Sequence, residues 1–208
     1  MQHIPNLLSL SRIASTLLIF ILVLINQHWA FFVATLFFVL ASITDLLDGY
    51  LARRYHLVSS LGVFLDLTAD KVFVSSILIA LVQIGLVPAW IVVIIVAREF
   101  LVTGLRSMAA AQGTVIAAGP WGKQKTFITL LAIGGILLAH GLGDPRLALF
   151  PTPVLTLSSA AWDVSSALHL LADIALLLAT FWTIMSGAEY VLRAWPLLQG
   201  SKKERLHT

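Results

Sequence analysis

The chain contains no cysteine and very little charge. With no cysteine among its 208 residues, disulfide bonds and thiolate metal sites are excluded. Charged residues make up 11% of the sequence and hydrophobic residues 59%, and only ten residues are acidic. Mean hydropathy is +0.97, and long apolar runs recur along the chain. This composition is typical of an integral membrane protein.

The apolar runs predict an all-α protein with six membrane-spanning helices in one domain covering residues 1–208. Most runs match or exceed the ~20 residues that a helix needs to cross a bilayer. Pro88 and Pro120 stand where the fourth and fifth spans would begin, a position that tolerates the missing N–H, and Pro196 is expected to follow the last span. The predicted spans are about 7–26, 29–51, 61–86, 88–110, 121–141 and 162–194.

Basic residues are distributed unequally between the two sides of these spans. If the N-terminus is cytoplasmic, twelve Lys and Arg residues fall on the inner side and only Arg146 falls on the outer side, as the positive-inside rule requires. We therefore expect a multi-pass protein of the cell (inner) membrane with both termini in the cytoplasm. The pI near 9.5 then reflects topology, and no nucleic acid partner is expected. The first run lacks a basic start and a small-residue cleavage site, which favours a retained span over a signal peptide.

Four of the ten acidic residues are concentrated in one short segment. They form the pattern Asp45-x-x-Asp48-Gly49-x-x-Ala52-Arg53, then eight residues, then Gly62-x-x-x-Asp66-x-x-x-Asp70. Residues three or four apart share a helix face. Asp45 and Asp48 therefore lie on one face of one helix, and Asp66 and Asp70 on one face of the next. Two carboxylates about 5 Å apart repel by roughly 3 kcal/mol at an effective dielectric of about 20. The cluster therefore needs cations, and its oxygen-only ligands predict a site for two divalent cations, Mg²⁺ or Mn²⁺.

A group of basic side chains is predicted on the same side of the membrane. Arg98 and Arg106 are two turns apart on the fourth span, and Lys123 and Lys125 open the fifth. Because intramembrane charges usually face a partner or a water-filled cavity, cations opposite the carboxylates fit a substrate with separated phosphates. Alternatively, these cations anchor the helices by reaching to lipid headgroups. Glu99 follows Arg98 directly, and since neighbours on a helix diverge, no direct contact between these side chains is expected.

The aspartate pattern resembles the signature of the CDP-alcohol phosphotransferases at all eight defining positions. Over roughly residues 4–130, other segments resemble the bacterial phosphatidylglycerophosphate synthases. These segments are Ile4-Pro5-Asn6-Leu7-Leu8-Ser9-Leu10-Ser11-Arg12, Phe64-Leu65-Asp66, Ala69-Asp70-Lys71, Ala97-Arg98-Glu99-Phe100, Leu105-Arg106 and Gly122-Lys123-x-Lys125-Thr126. At Leu67-Thr68 the synthases favour Pro-Val, a departure that concerns the choice of acceptor alcohol more than the chemistry.

The resemblance implies six transmembrane helices around a polar cavity open to the cytoplasm, commonly in a homodimer within membrane lipid. The donor would be CDP-diacylglycerol and the acceptor sn-glycerol 3-phosphate, and the products phosphatidylglycerophosphate and CMP. Two divalent cations, Mg²⁺ or Mn²⁺, would be held by Asp45, Asp48, Asp66 and Asp70. Asp70 would also act as the general base.

The resemblance also implies two groups of binding residues. The cytidine and pyrophosphate of the donor would be bound by Asp48, Gly49, Ala52, Arg53, Gly62 and Asp66. The phosphate of the acceptor would be bound by Arg98, Arg106, Lys123 and Lys125, with Arg12 assisting from the first span.

Two alternatives stay open. The acceptor could be another alcohol, either phosphatidylglycerol, as in a cardiolipin synthase, or an inositol phosphate. The aspartates could instead form a path for divalent cations in a transporter, although transport should place ionisable groups on both sides of the membrane midplane. In the outer half of the last span, His169 and Asp173 lie one turn apart. There we expect a mutually satisfied pair or contacts with the outer loop in preference to a proton relay.

Overall fold

Six α-helices make up nearly all of the chain that the structure describes. A computed structural model describes residues 4–54, 60–114, 120–143 and 164–204, with side chains for all of these except 4–10, 46–54, 60–66, 120–121, 123, 165–166 and 196–204. The helices are α1 (Ile4–Ile25), α2 (His28–Arg54), α3 (Ser60–Gln83), α4 (Ala89–Ala111), α5 (Pro120–Leu142) and α6 (Val164–Glu204). These ranges contain no strand, so the all-helical prediction is confirmed for them.

Each predicted span corresponds to one helix. Three stretches are long and apolar enough to cross a membrane: His28–Asp45, Gln124–Leu142 and Ala167–Trp195. Ser11–Ile25 is a shorter apolar stretch. The protein is thus a multi-pass helical membrane protein, and six crossings within a single domain stay a prediction.

The last helix is longer than the sequence predicts. The sixth span was expected to end at residue 194, before Pro196, but α6 continues through this proline to Glu204. A proline inside a helix deprives the carbonyl four residues earlier of its donor, and one lost hydrogen bond does not end a helix that packs along much of its length. At 1.5 Å per residue, the 41 residues of α6 extend over about 60 Å. The helix therefore outreaches the ~30 Å hydrocarbon core of a bilayer.

The helices α3 and α4 end in the same way, with a glycine in the left-handed region. Gly85 has φ of 80° and Gly113 has φ of 71°, values that residues with a Cβ rarely adopt. After each glycine, the next amide donates back to a carbonyl five residues earlier, at 2.9 Å in both helices. Pro88 directly precedes α4 and Pro120 is the first residue of α5, as the sequence predicts. The glycines thus mark the ends of α3 and α4, and the prolines mark the starts of α4 and α5.

The apolar core lies in the half of the bundle opposite the aspartates. It contains the second half of α1 and the first half of α2, with buried residues such as Val23 and Phe31, and the corresponding ends of α3 to α6. Small residues bring the helices close together there, since a Cβ on Gly141 of α5 would lie 2.9 Å from the amide nitrogen of Phe32 on α2. Helix α5 packs mainly on α6 and α2, α1 packs on α3 and α2, and α4 packs on α6 and α3. At the other end of the bundle, polar side chains replace this core.

Candidate active site

The first aspartate of the motif forms an ion pair with the first helix. Asp45 lies in the second half of α2, and its carboxylate Oδ1 contacts Nη2 of Arg12 on α1. The Arg12 side chain is only 7% exposed, whereas that of Asp45 is 38% exposed. A buried guanidinium needs a counter-charge because desolvation is costly, so this contact fixes the polar ends of α1 and α2 together. The assistance of Arg12 in binding the acceptor phosphate, which the resemblance implied, stays a prediction.

The last aspartate of the motif lines a cavity where α3, α4 and α5 meet. Polar groups from all three helices face this cavity, and its apolar lining comes from Val74 and Ile95. The polar lining residues are Asp70, Lys71, Ser75, Glu99, Lys125, Thr126 and Thr129. The expected general base, Asp70, and one expected phosphate ligand, Lys125, therefore line the same cavity.

Glu99 links the basic side chains around this cavity. Its Oε1 accepts a hydrogen bond from Nη1 of Arg98 at 3.0 Å and contacts Nζ of Lys125 on α5. The expectation that Arg98 and Glu99 do not touch is therefore wrong. Both side chains are long enough to fold towards each other, and Lys125 draws the carboxylate to the same place. The Lys125 side chain is 7% exposed, so the pairing offsets the cost of burying its ammonium group.

Helix α6 holds Arg98 from the opposite side. Nη2 of Arg98 donates to the hydroxyl of Ser186, and its guanidinium carbon lies 5.8 Å from the centre of the Tyr190 ring. Gly187 leaves space for the aliphatic part of Arg98, because a Cβ at this position would lie 3.1 Å from Cγ of Arg98. Nε of Arg98 is buried and has no hydrogen-bond partner in the described part of the chain. Three residues one turn or less apart on α6 thus determine where this arginine lies.

The other predicted site residues are only partly covered by the structure. Arg106 is exposed on α4, outside the lining of the cavity. Several predicted residues lie within α2, α3 and α5, as expected, but their side chains fall outside the described set. These are Asp48, Gly49, Ala52, Arg53, Gly62, Asp66 and Lys123. Their assigned roles stay predictions.

The predicted metal site lies partly outside the described side chains. Among those that are described, no three His, Cys, Asp or Glu groups are close enough to hold an ion, but two of the four predicted ligands, Asp48 and Asp66, are not in that set. The two predicted ligands whose side chains are described, Asp45 on α2 and Asp70 on α3, are carboxylates, and oxygen ligands suit Mg²⁺ and Mn²⁺. The chemistry of the donor set therefore fits the predicted cations.

At the other end of the bundle, His169 and Asp173 do not form the expected mutual pair. Both are 1% exposed, and neither ring nitrogen of His169 has a hydrogen-bond partner among the described residues. The ring of His169 instead packs edge-on to that of His140, with the centroids 6.2 Å apart. The outer loop, the other expected partner, lies outside the described residues. This histidine is held by packing with α5.

Sequence reasoning missed four residues around Arg98 and Lys125. No role is predicted for Glu99 beyond its place in the Ala97-Arg98-Glu99-Phe100 segment, although a carboxylate in an apolar span is itself a signal of a functional site. Ser186, Gly187 and Tyr190 carried a weaker signal, a run of small and polar residues in the second half of an otherwise apolar helix. A spacing rule within one helix cannot show that they face α4.

Comparison with known proteins gives a consistent result. The family model for CDP-alcohol phosphatidyltransferase matches residues 2–185. A CDP-diacylglycerol–glycerol-3-phosphate 3-phosphatidyltransferase of Bacillus subtilis is 38% identical over 97% of this chain and 100% of its own length. A protein with the same description from Rickettsia bellii is 35% identical over 91% of this chain and 93% of its own length. A probable phosphatidylglycerophosphate synthase of Mycobacterium tuberculosis is 35% identical over 92% of this chain and 81% of its own length. The chain belongs to the CDP-alcohol phosphatidyltransferase family.

Proposed function

We propose that this enzyme transfers the phosphatidyl group of CDP-diacylglycerol to sn-glycerol 3-phosphate. The observation that carries the proposal is the cavity between α3, α4 and α5, where Asp70, Glu99 and Lys125 meet. It offers a carboxylate for a proton and an ammonium group for a phosphate within one small space. The relatives described as glycerol-3-phosphate 3-phosphatidyltransferases support this choice of acceptor.

The carboxylates of the motif would hold two divalent cations, Mg²⁺ or Mn²⁺. The ligands would be Asp45, Asp48, Asp66 and Asp70. When bound, such cations neutralise charge on a pyrophosphate and make its phosphorus more electrophilic. Arg12 contributes a fixed positive charge beside Asp45, which limits the repulsion within the carboxylate cluster.

The donor would lie along the polar ends of α2 and α3. Gly49, Ala52 and Gly62 have little or no side chain, so cytidine and pyrophosphate can approach the helix backbone. Arg53 would pair with a phosphate oxygen of the donor through its planar guanidinium. These positions stay predictions, because their side chains are outside the described set.

Asp70 would accept the proton of the attacking hydroxyl. The hydroxyl oxygen forms a bond to the phosphorus that carries diacylglycerol, and the bond between this phosphorus and the bridging oxygen breaks. CMP leaves with the electron pair, and the proton moves to the Asp70 carboxylate. Asp70 is suitably located because it lines the cavity shared with Lys125, and a general base needs to be within reach of the proton that it removes.

The acceptor phosphate would be bound by Lys125 together with Arg98, Arg106 and Lys123. Lys125 is buried on the cavity wall, and a charge-assisted contact in such a place is stronger than one in water. The alternative role, a lysine that anchors its helix by reaching to lipid headgroups, needs an exposed ammonium group. Because Lys125 is buried, this role is disfavoured.

The proposal also includes the arrangement in the membrane. The chain would cross the membrane six times as part of a homodimer, with its cavity open to the cytoplasm and both termini inside the cell. The charge bias of twelve basic residues against Arg146 supports this orientation. The exposed tryptophans Trp29 and Trp90 lie at the starts of α2 and α4, and an aromatic belt is expected at the membrane surface.

Release of CMP by the purified chain tests this function. CDP-diacylglycerol in detergent micelles with Mg²⁺ would be offered glycerol 3-phosphate, phosphatidylglycerol, inositol phosphate or no acceptor. We expect CMP and phosphatidylglycerophosphate with glycerol 3-phosphate alone, and loss of both products when EDTA is added. Equal CMP release with another acceptor would contradict the assigned substrate, and no CMP with any acceptor would contradict the reaction.

A further inference from the structure

We propose that Glu99 determines acceptor specificity by accepting a hydrogen bond from the second hydroxyl of the acceptor, the one that does not react. The inference rests on the proposed function and concerns the same cavity. It assigns to Glu99 a direct contact with substrate, in addition to its contacts with Arg98 and Lys125.

The carboxylate of Glu99 is held in a defined position. Oε1 accepts from Nη1 of Arg98 and contacts Nζ of Lys125, and Arg98 is itself fixed by Ser186 and Tyr190 of α6. These contacts from α4, α5 and α6 orient the group before any substrate arrives. Such orientation lowers the entropic cost of using the group for recognition.

Among the described side chains, none occupies the second oxygen of Glu99. All contacts recorded for the carboxylate involve Oε1, so Oε2 has no hydrogen-bond partner among the described residues. The Glu99 side chain is 24% exposed and lines the cavity. An ionised carboxylate only accepts hydrogen bonds, so the substrate group opposite Oε2 has to be a donor.

The chemistry of the acceptor identifies that donor. Glycerol 3-phosphate carries its phosphate and its two hydroxyls on successive carbons. In the proposed function, the terminal hydroxyl gives its proton to Asp70 and the phosphate binds Lys125. Both residues line this cavity with Glu99. The phosphate has no proton to spare for a carboxylate and would be repelled by it, so the central hydroxyl is the group that Glu99 can bind.

A site built to bind a hydroxyl discriminates against an analogue that lacks it, because its polar group is left unpaired. The hydrogen bond here is to a charged group, and loss of such bonds lowers catalytic efficiency roughly tenfold to a hundredfold. The analogue is 3-hydroxypropyl phosphate, which keeps the reacting hydroxyl and the phosphate and lacks only the central hydroxyl.

The test is the ratio of kcat/KM for glycerol 3-phosphate to that for 3-hydroxypropyl phosphate, measured with the full chain in micelles containing CDP-diacylglycerol and Mg²⁺. For the wild type we expect a ratio of roughly ten to a hundred. In Glu99→Ala the ratio should approach one. This variant also frees Lys125 and Arg98 from their contacts with Glu99. Because both acceptors carry the same phosphate, that change should affect their kcat/KM values equally and cancel from the ratio. In Glu99→Gln the ratio should be intermediate, since the amide oxygen still accepts but has no charge.

Glu189→Gln is the matched control, because Glu189 also pairs with an arginine, Arg193 of α6, and does not line the cavity. Its ratio should equal that of the wild type. Equal use of both acceptors by the wild type overturns the inference without any variant, and so does a ratio that is unchanged in Glu99→Ala. If the wild type releases no CMP with glycerol 3-phosphate, the proposed function fails instead, so the two failures are distinguishable.

Discussion

At the residue scale, one carboxylate holds the cations of the cavity in place. Glu99 contacts Arg98 on its own helix and Lys125 on α5. Two buried cations without it would repel each other and lose their solvation. The arrangement places Lys125 on the cavity wall, where a negatively charged substrate group can also reach it.

Replacement of Lys125 by Gln is predicted to weaken acceptor binding more than donor binding. The variant removes a charge-assisted contact worth about 1.5–3 kcal/mol, so KM for glycerol 3-phosphate should rise roughly tenfold to a hundredfold. KM for CDP-diacylglycerol should change much less, since in the proposed function its pyrophosphate is bound elsewhere. Initial rates with each substrate varied in turn measure both constants.

Two variants serve as references for this prediction. Lys202→Gln removes the same charge in the last turn of α6 and should leave both constants unchanged. Asp70→Asn should lower kcat severely, because the proposed base is lost. Equal increases of both KM values in Lys125→Gln would mean that the lysine binds the pyrophosphate of the donor.

At the scale of the helix, α6 acts as a support for α4. Arg98 fits over Gly187, donates to Ser186 and lies near the ring of Tyr190. The three residues form one patch on the same side of α6. The position of this arginine is thus decided by a helix that is more than eighty residues away in the chain.

Gly187→Ala is predicted to raise KM for glycerol 3-phosphate severalfold while kcat changes little. The new Cβ would lie 3.1 Å from Cγ of Arg98, so the arginine has to shift by a few tenths of an ångström. Such a shift weakens a charged contact without removing it. Steady-state kinetics with varied glycerol 3-phosphate provide the measurement.

Gly134→Ala is the control for this substitution. Its Cβ would meet Cε1 of Phe38 at 3.3 Å, a comparably close contact that involves no charged group. We expect a change in Tm and unchanged KM values. If both variants raise KM equally, the effect of Gly187→Ala comes from general packing of the bundle and not from Arg98.

At the scale of the whole molecule, the described ion pairs between helices and the main apolar core lie at opposite ends of the bundle. The buried apolar cluster occupies one end of the bundle, and the Asp45–Arg12 pair and the cavity with Glu99 and Lys125 lie towards the other. In the proposed function, a charged substrate would reach that end from water, while the acyl chains of the lipid donor would lie beside the exposed apolar faces of the helices.

The proposed orientation predicts that Ser201 faces the cytoplasm. Because the chain has no cysteine, Ser201→Cys introduces a single site for labelling. An impermeant maleimide should leave this variant unlabelled in intact cells and label it after lysis. Ala148→Cys, in the predicted outer loop, should be labelled in intact cells. The reverse pattern would show that the assigned orientation of every span is inverted.

In the described part of the chain, the number and approximate ends of the helices could be predicted from the sequence, because apolar runs, prolines and glycines act locally. Pro88 directly precedes α4 and Pro120 is the first residue of α5, as expected. The end of the last helix could not be predicted in this way, since Pro196 removes only one hydrogen bond and α6 continues beyond it. A local signal decides a helix end only where no packing energy opposes it.

For the candidate site, too, some features could be predicted from the sequence and others only from the tertiary structure. The sequence by itself determined the motif with its four aspartates, and the match of residues 2–185 confirms the family that this motif indicated. Spacing on a helix also placed Asp45 and Asp48 on α2 and Asp66 and Asp70 on α3. Only the tertiary structure decided that Asp45 pairs with Arg12, that Glu99 joins Arg98 to Lys125, and that Ser186 supports Arg98. Periodicity shows which residues share a face of one helix. Contacts between helices depend instead on how closely the helices pack, and small residues such as Gly187 allow a close approach.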